Sequence, residues 1–173
     1  AATTGSPTSS SNIVAGVFNI NNTAVTRSVG QVIWQGSDAV PNTDAIIANP
    51  VAFNLGSINF NSLLSSPDFN FQWSVSNVDG RNWSYTVRAY TDDASNYFEG
   101  VVVSDQSGLV LSIPKASFGT VGSPSWSNID AVSFSATYTD GLLGGDLAID
   151  CVQLAVPEPG AYLLIGVTAI GVG

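Results

Sequence analysis

Asp68–Ser76 reads DFNFQWSVS, and Asn82–Tyr90 reads NWSYTVRAY. In the first stretch Phe69, Phe71, Trp73 and Val75 share one phase, and Asn70, Gln72 and Ser74 share the other. In the second, Trp83, Tyr85, Val87 and Ala89 fall together. Successive side chains of a strand point to opposite faces, so this period of two specifies strands with one apolar and one polar side. The beat returns in GLVLSIP (Leu109, Leu111, Ile113), in AVSFSATYTD (Val132, Phe134, Ala136, Tyr138) and in NPVAFNLGSINF (Val51, Phe53, Leu55). Between the runs lie VDGRN, TDDASN, SDQSG, GSPSWSN and TDGLLGGD, rich in the Asn, Asp and Gly that tight turns require. Many short alternating strands with close turn signals predict an all-β fold, an antiparallel β-sandwich over residues 13–155. Residues 1–12 are small and polar and read as an extended N-terminal arm. Residues 156–173 read as a tail, because two prolines in Val156–Gly160 remove the amide donors a sheet needs.

Composition narrows the function. The 173 residues are enough for one domain with a substantial core. Charged residues are 10% of the chain, against about 25% in a typical domain. The polar surface therefore comes from Ser, Thr, Asn and Gln. Four basic residues (Arg27, Arg81, Arg88, Lys115) stand against thirteen acidic ones, a net charge of −9. They form no cluster of the kind that holds phosphate backbones, so no nucleic-acid partner is expected. There is no His, which excludes Ser-His-Asp and Cys-His catalysis. Cys151 is the one cysteine. It sits in the strand-like run DLAIDCVQLAV and reads as a buried core thiol, with an intermolecular bridge as the lesser alternative. The chain starts AATTGSPTSSSN, as a secreted chain does once an export signal has been removed.

The last residues read VPEPGAYLLIGVTAIGVG. Val156, Pro157, Glu158, Pro159 and Gly160, followed by an uncharged apolar run, resemble the PEP-CTERM sorting signal. That resemblance implies an exported protein of a Gram-negative bacterium that makes extracellular polysaccharide. It implies transient membrane anchoring through the tail, processing by an exosortase-type enzyme, and a final place outside the cell or on its surface. The apolar run carries Tyr162, Leu163, Leu164, Ile165, Val167, Ile170 and Val172. Its thirteen residues fall short of the roughly 20 that span a bilayer as a helix. The family signal also continues to an Arg-rich end that is missing here. The tail is therefore expected to anchor or assemble the chain by burying against protein.

A second resemblance lies upstream. Asp146, Leu147, Ile149, Asp150 and Val152 resemble the closing strand of jelly-roll domains akin to carbohydrate-binding modules. This implies jelly-roll wiring. It supports sugar binding only weakly, since folds host many functions.

Sugar sites need an aromatic ring lying flat and exposed. Trp73 and Trp83 fall on core phases. Trp126, in a turn-rich stretch, and Tyr97, beside TDDASN, are the candidate platforms. Calcium needs several converging oxygens. The candidate groups are Asp92, Asp93 and Glu99, and Asp140, Asp146 and Asp150; ordinary turn chemistry is the plainer account of both. No pair of carboxylates stands out for glycoside hydrolysis. No other cofactor is expected. The sequence thus predicts a non-enzymatic extracellular structural protein, a self-associating subunit of a filament, layer or matrix. The alternative is a surface module that retains exopolysaccharide through Trp126 and Tyr97.

Overall fold

The computed structural model describes residues 10–14, 17–21, 29–34, 64, 66–91, 93–139 and 144–156. Ten strands lie in these segments: β1 (Ser10–Val14), β2 (Val17–Asn21), β3 (Val29–Trp34), β4 (Asn70–Asn77), β5 (Trp83–Thr91), β6 (Asp93–Ser104), β7 (Leu109–Pro114), β8 (Gly119–Val121), β9 (Ala131–Tyr138) and β10 (Leu147–Ala155). One 3-10 turn, Lys115–Ser117, links β7 to β8.

The strands form two antiparallel sheets. Sheet A runs β1-β2-β10-β4-β7, and sheet B runs β3-β9-β5-β6-β8. The chain steps from one sheet to the other at β2–β3, β3–β4 and β4–β5. It stays in sheet B for the β5–β6 hairpin, then crosses back to β7, over to β8 and β9, and home to β10. This wiring, with β2-β10-β4-β7 facing β3-β9-β5-β6, is that of a jelly roll. The antiparallel sandwich expected from the alternation is therefore the fold.

The alternating residues meet in the middle. Trp73, Trp83, Tyr85 and Phe134 are each at most 1% exposed, and they share one core with Phe69, Phe71, Leu64, Ile20, Leu147 and Ile149. Trp73 and Phe134 meet at 5.4 Å between ring centroids in an edge-to-face geometry that favours the ring quadrupoles. The Trp83 indole N–H donates to Val78 O at 3.4 Å. Burial pushes the Tyr85 phenol well above its ordinary pKa.

Two glycines let the sheets close at their sides. A Cβ at Gly30 on β3 would lie 2.5 Å from the Phe18 ring, and one at Gly100 on β6 would lie 2.6 Å from Ile113 Cγ2.

Strand β10 changes phase midway. Ile149 is paired with Val75, but the next pair is Cys151 with Ser74, so Asp150 is an extra residue, a bulge. Before it, Leu147 and Ile149 face the core. After it, Val152 and Leu154 do, opposite Trp73 and Phe71. This corrects the expectation for Cys151. Its thiol is exposed on the outer face of sheet A beside Gln153, because the bulge moved it off the core phase.

Two other expectations shift. Ser10, Ser11 and Asn12, assigned to the extended arm, pair with Asn21, Ile20 and Asn19 as part of β1. The VDGRN turn has the positive φ angles expected of a tight turn, 51° at Asp79 and 61° at Gly80. Yet it joins strands of different sheets rather than a paired hairpin. The strand expected around Val51, Phe53 and Leu55, the first nine residues and the tail from Pro157 onward lie outside the described residues. Val156 lies inside them, packed against the core.

Candidate functional site

Three surfaces hold the residues that sequence reasoning picked out, or should have. The first surrounds Trp126. Its indole lies parallel to Phe98, with centroids 3.8 Å apart and planes 6° apart. Phe69 and Phe118 approach edge-on at 5.1 and 5.5 Å. Lys115 Nζ stands 5.5 Å from the ring centre and 5.2 Å from that of Phe69, within cation–π range. The same ammonium donates to Leu64 O at 3.1 Å and Ser66 O at 2.6 Å, tying that segment to β7. One face of Trp126 is thus occupied by Phe98, and its edges are packed. It closes one end of the core, where an open sugar platform was expected.

The second surface is the outer face of sheet B. Arg88 on β5 and Glu99 on β6 are register partners, and Arg88 Nε donates to Glu99 Oε2 at 2.6 Å. Burial alone would pull the Arg88 guanidinium down. The Glu99 bond and charge, assisted by Tyr90, more than offset this and hold it above its ordinary value. Arg88 also lies 4.9 Å over the Tyr97 ring, and Tyr90 leans on the same ring at 5.5 Å. Tyr97 is therefore engaged by a cation on its face and by a second ring. Glu99, proposed among the calcium ligands, has a guanidinium partner, and a fixed positive charge beside a carboxylate disfavours a cation there.

For the calcium clusters, Asp92, Asp140 and the side chain of Asp93 lie outside what the structure describes. Among the described residues no three His, Cys, Asp or Glu side chains converge as metal ligands. Asp150 is the bulge residue of β10, and Asp146 precedes that strand.

The third surface was missed. Val101 and Val103 on β6, Leu109 and Val110 on β7, and Val121 on β8 are the large apolar residues left exposed among the described ones, at 38–59%. All five lie on the three strands that close one side of the sandwich. A signal for them was present. VVV at 101–103 and LVL at 109–111 are apolar on both phases, so a sheet with one wet face must expose some of them.

The ends of the sheets share a further property. Among the described residues the strands at the ends are β1 and β7 in sheet A, and β3 and β8 in sheet B. Their sequences, SSNIV, LVLSIP, VGQVIW and GTV, hold no charged residue. The charges carried by strands sit on β5, β6 and β10, and the inner strands β2, β4 and β9 are uncharged as well. Proteins ordinarily protect sheet edges with Lys, inward charges, bulges or Pro, because an open edge is a template for another strand.

No family model and no curated protein matches the chain. A solved structure titled "Structure of PfGH50B" shares 13% identity, with a TM-score of 0.47 over 87% of this chain and 22% of that one. The chain spans about a fifth of that protein's length.

Proposed function

We propose that this chain is a non-catalytic structural subunit of extracellular or cell-surface material, built by self-association of its β-sandwich. The observation that carries this reading is the absence of charge from all four sheet-end strands. An edge strand without charge lacks one of the devices by which monomeric β proteins keep an edge from pairing with another strand. An uncharged edge also meets a second uncharged edge without repulsion. The low-charge, Ser- and Asn-rich composition and the PEP-CTERM-like residues Val156–Gly160 support export and surface placement. In that setting the apolar stretch Tyr162–Val172 serves as transient anchor during exosortase-type processing.

The alternative, a module that holds exopolysaccharide, draws less support. Phe98 covers one face of Trp126, and Arg88 sits over Tyr97. A sugar stacking on either of these covered faces would have to displace the partner there.

Electron microscopy of native material, washed from cells without detergent, tests the choice. Regular fibres or layers containing the chain are expected. Dispersed single particles that bind matrix polysaccharide, with binding lost in Trp126→Ala or Tyr97→Ala, would overturn the structural reading in favour of the module.

A further inference from the structure

The structural reading leaves open which edge associates, and with what. Strand β7 answers both. It ends sheet A, paired on one side with β4 and with nothing on the other among the described residues. Lys115 N–H donates to Phe69 O at 2.9 Å, one step beyond the Asn70–Pro114 pair. Backbone groups of an antiparallel strand alternate sides. The odd-numbered residues of β7 therefore bond to β4, and Val110 and Ser112 direct their N–H and C=O groups outward. Pro114, which has no N–H to offer, falls on the outward phase at the end of the strand, where a proline is tolerated.

We propose that β7 of one copy pairs antiparallel with β7 of a second copy, across a two-fold axis near Leu111, to join two A sheets into one. The proposal rests on the self-association reading above. It commits to a second copy for three reasons. The Ser107–Pro114 segment carries no charge, so a strand facing its own duplicate meets no like-charge pair. With Val110 opposite the partner's Ser112, each copy's outward N–H and C=O groups find the matching groups of the other. The same axis brings the neighbouring β6 edges together. There β8 pairs with Tyr97–Glu99, and among the described residues Val101–Ser104 have no partner on that side, with Val101 51% and Val103 59% exposed. A two-fold contact of this kind buries one patch against itself, the commonest symmetry of soluble oligomers.

The test uses the full chain and three variants. Ser112→Pro removes an outward donor and leaves the β4 ladder intact. Val110→Lys places a charge at a position 57% exposed. Gln31→Lys places the same charge on β3, at the opposite side of the sandwich. Sedimentation equilibrium over a wide concentration range reads association, and circular dichroism confirms folding of each. The full chain and Gln31→Lys are expected to associate alike. Ser112→Pro and Val110→Lys are expected to weaken association by about tenfold or more. If the full chain stays monomeric throughout, the self-association reading itself fails. If it associates and both β7 variants associate equally well, the β7 contact is overturned while that reading survives. Loss of association on removing residues 161–173, with Ser112→Pro unaffected, would overturn the second copy's β7 as occupant in favour of the C-terminal segment.

Discussion

At the middle of the sandwich, β5 and β9 bury Trp83, Tyr85, Val87, Phe134 and Ala136 completely. At its side, β7 leaves Val110 57% exposed, although its sequence is as apolar as theirs. The strands resemble one another in composition and differ in their neighbours. A central strand has its backbone satisfied on both sides and its apolar face covered by the opposite sheet. Among the described residues a strand at the end is paired on one side alone, and β7 carries an apolar residue, Val110, on the outer phase where β5 and β9 carry Ser84, Thr86, Arg88, Ser133 and Ser135. The middle supplies the stability of the subunit, and the side supplies its unspent pairing capacity. Changes in the middle should therefore move unfolding, and changes at the side should move association.

The largest effect is expected at the centre. Trp73→Ala should destabilise the chain by about 3–5 kcal/mol in urea unfolding, since Trp73 is 1% exposed and touches the rings of Tyr85 and Phe134. Gly100→Val drives a side chain into Ile113 and should cost about 1–3 kcal/mol, with the unfolding transition moved and association changed only through folding. Glu99→Gln should cost less than about 1 kcal/mol, because the Arg88–Glu99 pair is partly exposed on both sides and screened by solvent. A much larger loss would make the outer face of sheet B a stability element instead.

The sequence made the strands legible, because alternation is a local property. Phe69 to Val75 and Trp83 to Ala89 fall on the faces that their period assigned. The wiring was not legible. The Asp79–Gly80 turn looks the same whether its strands pair or part into two sheets, and long-range packing decides which. Cys151 was misplaced because a single inserted residue, Asp150, reverses the phase. The hint was that Val152 and Leu154 are apolar on the phase opposite to Leu147 and Ile149. Trp126 was assigned to the surface from its turn-rich neighbours; it is partly exposed, and what its neighbours could not show is that Phe98, nearly thirty residues away in the chain, lies flat against one face. The exposed valines were passed over because VVV and LVL are apolar on both phases, so alternation alone does not say which of them faces water.

Amide hydrogen exchange within β7, followed as concentration rises, tests the central claim most directly. Leu111 N–H bonds to β4 and should be protected at every concentration. Val110 and Ser112 should exchange rapidly in dilute solution and slow as subunits associate. Fast exchange at both positions in fully assembled material would contradict the account, because the open edge would then take no part in what the chain builds.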